Sequence, residues 1–184
     1  MEETSSTFKV NKGMISRYDK TLLFIKKHIP EGKTVLDLGV SNPFSDILKN
    51  QGYNVFNTHG EDLDLHPDTV KQFEGIEFVT ALEICEHLIN PMGVLSQLPS
   101  DKLIASIPLS LWFAKAYRSK TDPWDRHFHE FEDWQFDWLL EKAGWKVMAS
   151  EKWTAPINQI GIRPLLRKFT PRYYIVYAER AAST

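Results

Sequence analysis

Apolar positions along the chain follow two kinds of pattern. Behind Ser16 as a helix cap, Tyr18, Leu22, Ile25 and Ile29 recur at helical spacing until Pro30-Glu-Gly32 ends the run. From 34 to 39 the chain is continuously apolar except for Asp37 and the closing Gly39, as in an interior strand covered on both faces. A helix starts at once, with Ser41 or Asn42 as its cap, Pro43 at its first position and Gly52 after its end. Tyr53 to Thr58 reads as a second, shorter strand. The stretch 59–75 is acidic and contains Pro67; only a helical turn at Val70 to Phe73 is expected there. Ile76 to Cys85 is a strong strand, Asn90-Pro91 opens a short helix, and Lys102 to Pro108 is another strand. Glu132 to Ala143 is a helix stopped at Gly144. Trp145 to Ser150 and Tyr173 to Ala178 are the last strands. They are expected to pair antiparallel, because Pro156, Gly161, Pro164 and Pro171 make their connection read as loop with one short apolar turn.

Alternation of this kind predicts an α/β three-layer sandwich with a mostly parallel sheet and an antiparallel C-terminal strand pair. A strand that turns on a glycine into a helix is how open α/β sheets make cofactor sites. Val35-Leu-Asp-Leu-Gly39 is one such turn, and Phe78 through Pro91 supplies a second.

The length of 184 residues suits one domain, taken as 15–184 after a flexible 1–14. With 42% hydrophobic and 25% charged residues the composition is that of a globular protein, and a net charge of -2 leaves no electrostatic footprint for nucleic acid. A local basic patch remains at Arg163, Arg167, Lys168 and Arg172. No run approaches the ~20 apolar residues of a membrane span. The acidic start lacks a signal-peptide core, and the only cysteine, Cys85, reads as a small buried hydrophobe. A cytoplasmic protein is expected; nothing sets its oligomeric state.

Five stretches in order carry a family resemblance: Val35-Leu-Asp-Leu-Gly39, Gly52-Tyr-Asn-Val-Phe56, Ala81-Leu-Glu-Ile-Cys-Glu-His-Leu-Ile-Asn-Pro91, Ala105-Ser-Ile-Pro108, and His127-Phe-His-Glu-Phe131 with Phe136-Asp-Trp-Leu-Leu-Glu-Lys-Ala-Gly-Trp145. Over about 15–150 the chain resembles the compact, small-molecule class I S-adenosylmethionine-dependent methyltransferases. The resemblance implies their Rossmann-like fold, shortened between strands 2 and 4 because 59–75 cannot hold the usual strand and helix. It implies S-adenosylmethionine as cofactor, S-adenosylhomocysteine as product and a small-molecule acceptor. Asp37, Gly39, Ser41, Leu82 and Glu83 would lie beside the cofactor, and Glu61 or Asp62 would hold the ribose. His127 would face the active site as a general base, and 109–131 would form a lid.

Each assignment has a plainer counterpart. Glu61, Asp62 and Asp64 also fit a solvated acidic loop, and Glu86-His87 fits a structural turn. The aromatic residues from Trp112 to Phe131 fit a satellite cluster on the sheet edge as well as a lid. His127, His129 and Glu130 lack further ligands at telling spacing, so no metal is expected from them. Where the family loop has more glycines this chain has Ser41 and Pro43. That departure supports an alternative: a degenerate methyltransferase fold without catalysis, acting as a ligand-binding or interaction module. A dinucleotide-binding oxidoreductase would need glycines that this loop lacks.

Overall fold

The computed structural model describes residues 12–155 and 161–182. Its strands are β1 (Thr34–Asp37), β2 (Asn54–Asn57), β3 (Phe78–Leu82), β4 (Lys102–Pro108), β5 (Trp145–Trp153) and β6 (Tyr173–Arg180). Its helices are α1 (Lys12–His28), α2 (Pro43–Asn50), α3 (Pro91–Leu95), α4 (Asp133–Lys142) and α5 (Ile162–Phe169). The strands form one sheet in the order β2-β1-β3-β4-β6-β5. β1 pairs in parallel with β2 and β3, and β3 with β4, while β6 is antiparallel to both β4 and β5. The expected antiparallel C-terminal pair is therefore present. β6 is the one strand that runs against the rest.

Successive strand residues point to opposite faces, and the core divides accordingly. Leu36, Val79, Leu103, Ala105 and Val176 pack with Val94 and Leu95 of α3 and Phe136 and Leu140 of α4. Val35, Phe78, Ile104 and Ile175 pack with Phe24 and Ile25 of α1 and Phe44 and Leu48 of α2. These are the three layers of the expected sandwich. Between β2 and β3 there is only a 3-10 turn, Pro67–Gln72, whose Val70 is buried on the α3 side. The sheet is thus short by a strand and a helix where the sequence is short.

β1 to β3 and α4 are each shorter by a few end residues than the sequence reading, and other boundaries differ more tellingly. α1 begins at Lys12, a turn before Ser16, because half-buried Met14 extends the apolar stripe through Gly13; of the expected flexible 1–14, residues 12–14 are helical and 1–11 lie outside the described residues. β3 stops at Leu82 and Cys85 opens a 3-10 turn, Cys85–His87, because Glu83 takes a left-handed backbone with φ 56°. β5 continues to Trp153 and β6 to Arg180, since each completes the other's ladder. The loop between them holds the eight-residue helix α5, which buries none of its residues and leaves Ile162, Leu165 and Phe169 exposed. Pro156 lies outside the described residues.

Trp145 locks α3, α4 and the sheet together. Its ring is 1% exposed, its Nε1–H donates to the Leu95 carbonyl at 2.9 Å, and the Arg180 guanidinium stacks 4.0 Å from the ring centre. Arg180 also donates to the carbonyls of Ala143, Ser96 and Leu98. Trp145→Phe leaves the Leu95 carbonyl unpaired and weakens the cation–π stack. Chemical denaturation is expected to show a loss of about 1–3 kcal/mol with an unchanged m-value; a wild-type midpoint would remove Trp145 from this role.

Candidate functional site

β1 ends in Asp37, whose side chain is 2% exposed. Its carboxylate accepts from Thr80 Oγ1 on β3 at 2.6 Å, Ser45 Oγ on α2 at 2.7 Å, and Asn42 Nδ2 and Asn57 Nδ2 at 3.3 Å each. Burial pushes this carboxyl above its ordinary range, and the four donors pull it back. Asn42, not Ser41, caps α2: its Oδ1 accepts from the Phe44 and Ser45 N–H groups, and its own N–H donates to Ser45 Oγ. Pro43 occupies the first turn. Gly39 has φ 99°, where a side chain is strained, and its N–H donates to Thr58 Oγ1 at 2.8 Å.

Beyond this turn, at the C-terminal ends of β1 and β3, a cleft of about 360 Å³ opens between α1 and the sheet. Asp37, Gly39, Leu82 and Glu83, four of the residues singled out in the sequence, line it together with Arg17, Tyr18 and Ser106. The Glu83 carboxylate accepts from Ser106 Oγ at 3.0 Å and pairs with Arg17 at 3.2 Å. Burial raises the Glu83 carboxyl and the Arg17 charge lowers it. Arg17 carried no signal in the sequence beyond lying on a periodic helix; Ser106 lay within one of the five family-like stretches.

Three expected residues lie apart from the cleft lining. Ser41 is exposed. Glu61 accepts the His59 N–H at 2.6 Å, and Asp62 accepts the Asp64 N–H at 3.0 Å, so both carboxylates turn onto their own loop. Asp64 takes the N–H groups of Ile89 and Asn90 at 2.8 and 2.7 Å, which ties the acidic loop to the start of α3. The residues that follow β1's turn across the sheet are Asn57 and Thr58, and both already bond to it.

A second cluster adjoins Glu83. The turn that starts at Glu83 carries Glu86 inward, where it is 1% exposed and its Oε2 has no hydrogen-bond partner. Burial, and then the Glu83 charge, hold its carboxyl well above the ordinary range. The Glu86 carbonyl accepts the N–H groups of Phe128 and His129, which anchors the 127–131 segment over it. His127 stands edge-on to His87 with ring centres 4.8 Å apart, and its Nδ1 is 3.6 Å from Glu130 Oε1. Burial, then the His87 charge, lowers the His127 pKa. His127 also lines a groove of about 520 Å³ with Tyr117, Arg118, Lys120, Arg126 and Phe128.

The 109–131 segment closes on itself through the Leu109–Phe131 bridge and is tied by a reciprocal pair to Arg172, the residue before β6. The Leu109 N–H donates to the Arg172 carbonyl at 2.8 Å, and Arg172 donates to the Leu109 carbonyl at 2.8 Å. Trp112 and Trp124 on it are 78% and 70% exposed, so this segment does not form the alternative satellite cluster over that part of its length. A further hollow of about 470 Å³ lies at the opposite ends of the strands. Its Lys33 and Glu77 pair with each other at 2.6 Å, and no strand-to-helix turn of the kind at Gly39 feeds it.

Comparison with solved structures decides the fold. The Burkholderia thailandensis 1,6-didemethyltoxoflavin-N1-methyltransferase, solved with 1,6-didemethyltoxoflavin and S-adenosylhomocysteine, superposes with a TM-score of 0.63. The match covers 90% of this chain and 78% of that one at 14% identity. This is the class I methyltransferase fold. A S-adenosylmethionine-dependent methyltransferase from Archaeoglobus fulgidus shares the fold at TM-score 0.56 and 15% identity, over 89% of this chain and 94% of that one. The [4+2]-cyclase SpnF shares it at 0.55 and 10%, over 94% and 85%. No family model matches the chain, and no curated protein matches it in sequence. At such identities the likeness is one of fold.

Within the methyltransferase fold of this chain, the Asp37 carboxylate is bonded only by donors, two hydroxyls and two amide N–H groups, so an amide in its place turns a donor toward at least one of them. Asp37→Asn is expected to cost about 1–3 kcal/mol in urea unfolding. A wild-type midpoint would show that the carboxylate does not hold the turn.

Proposed function

We propose that the protein is an S-adenosylmethionine-dependent methyltransferase acting on a small molecule, with S-adenosylhomocysteine as its product. The observation that carries this reading is the cleft at the ends of β1 and β3, lined by Asp37, Gly39, Leu82 and Glu83. When bound, the cofactor supplies an electrophilic methyl on a sulfonium, so the protein's task is to hold it and align a nucleophile behind the methyl carbon. Gly39 lets a ligand approach the backbone, and the Arg17–Glu83 pair offers both signs of charge to the ends of an amino acid. Glu61 and Asp62 serve the ribose in this reading only if their loop turns toward the cleft. His127 lines the neighbouring groove, on the acceptor's side, as the candidate base. In support, the Burkholderia neighbour was solved with a small-molecule acceptor and S-adenosylhomocysteine together.

The non-catalytic alternative rested on Ser41 and Pro43, and the local geometry weakens it. Ser41 is exposed, outside the cleft lining. Pro43 stands at the start of α2, where a backbone N–H has no partner within the helix. Neither residue fills the cleft.

Titration calorimetry with S-adenosylhomocysteine is expected to give one saturable site. Ser41→Gly should leave the affinity within about twofold. Gly39→Val, a β-branched residue forced to φ 99°, should weaken it about tenfold or more, the equivalent of about 1.4 kcal/mol. No heat and no thermal shift with either S-adenosylhomocysteine or S-adenosylmethionine would overturn the proposal.

A further inference from the structure

Glu86, His87 and His127 lie apart in sequence character and come together in space. One ligand-capable atom from each lies within 4.8 Å of the other two. His87 Nε2 faces Glu86 Oε1 at 3.8 Å, while His87 Nδ1 is 3.1 Å from the Arg126 carbonyl. A carbonyl can only accept, so Nδ1–H donates to it, and Nε2 is the ring atom turned toward Glu86. A backbone carbonyl fixing one ring nitrogen is how metal-bound histidines are commonly oriented. Nε2 and Oε1 stand 3.8 Å apart, beyond hydrogen-bond reach, which leaves the pair open to an ion between them.

Glu86 gives an independent sign. Its side chain is buried, its Oε2 has no partner, and among the described residues its one ion-pair neighbour is His87. The nearby arginines are engaged elsewhere, Arg17 by Glu83 and Arg172 by the Leu109 carbonyl. A buried carboxylate oxygen with no donor is costly unless something completes it. His127 approaches from the other side, edge-on to His87, and is the member that also lines the groove.

We propose that Glu86, His87 and His127 bind one divalent transition-metal ion, and that this ion presents an oxygen-acid acceptor to the cofactor cleft. Two imidazoles and a carboxylate suit zinc, cobalt, manganese or iron(II), and leave positions open for a ligand. Bond lengths of about 2.0–2.2 Å put such ligand atoms about 3–3.5 Å apart, so small side-chain rotations close the site. The catalytic part rests on the methyltransferase reading above. The acceptor's hydroxyl gives its proton to solvent as its oxygen meets the ion. That oxygen then bonds to the methyl carbon while the carbon–sulfur bond breaks, and its electron pair returns to sulfur, leaving uncharged S-adenosylhomocysteine. In this arrangement His127 is a ligand and not a base.

The test uses the full chain, stripped with chelator and titrated with Co²⁺. The expected result is a d–d absorption band saturating at one equivalent, which changes when acetohydroxamate, a bidentate oxygen ligand, is added. His87→Gln and His127→Gln should each weaken Co²⁺ binding about tenfold or more. His129→Gln, a neighbour outside the triad, should not. Metal should raise the melting temperature of the wild type and of His129→Gln alone. This keeps the comparison valid if a Glu86 variant fails to fold. No saturable band, or binding untouched by both triad variants, overturns the site; a saturable band that acetohydroxamate leaves unchanged overturns the acceptor role. Calorimetry with S-adenosylhomocysteine on the same protein separates the two readings. Heat with S-adenosylhomocysteine but no Co²⁺ site overturns the metal alone, and the reverse overturns the methyltransferase reading and the acceptor role with it while leaving the metal site standing.

Discussion

A single carboxylate at the end of β1 gathers three strands and a helix. Asp37 is buried, yet its four hydrogen bonds reach three other elements: Thr80 on β3, Ser45 and the cap Asn42 at α2, and Asn57 at the end of β2. A charged acceptor in a low-dielectric site binds its donors strongly, which offsets the cost of burying it. The turn from Leu38 to Asn42 therefore has little freedom of its own. Its shape follows from where these elements stand, and the cleft wall follows from the turn. This explains why a loop with one glycine keeps the geometry of the fold: the turn is held from below by a polar cluster.

One further turn shapes the rest of the site. Glu83 leaves β3 in a left-handed conformation that costs a non-glycine residue about 1 kcal/mol or more. Its bonds to Ser106 and Arg17 hold it there. Because the chain turns at that residue, Glu83 points to the cleft while Glu86, three residues later, points into the cluster beneath the 127–131 segment. A few residues thus furnish both halves of the site, and their charges act on each other across the turn.

Sequence patterning foresaw the strands well, because interior parallel strands buried on both faces must be largely apolar, as β1, β3 and β4 are, while the edge strand β2 is shorter and alternates exposed and half-buried positions. Asp37, Gly39, Leu82 and Glu83, singled out because strand ends are where open sheets place ligands, do come together around one cleft. Patterning could not foresee α5, whose exposed apolar side imitates a loop's lack of burial. It missed Arg17, which reaches the site from a helix distant in sequence, and the pairing of His127 with His87, forty residues apart along the chain. Local spacing drew attention to His127, His129 and Glu130, but tertiary packing turned His129 toward the Ile89 carbonyl instead. Glu61 and Asp62 show the same limit: their charge was legible, their orientation was set by backbone donors in their own loop.

The 109–131 segment leaves and rejoins the body at Leu109 and Phe131, and is fastened by two bonds between Leu109 and Arg172. None of its residues from 112 to 130 belongs to a strand of the sheet or to a helix that covers it. It behaves as a cassette on a fixed clasp. Lengthening or trading that stretch would alter what the groove admits without disturbing the register of a single strand, so the groove can change faster than the fold.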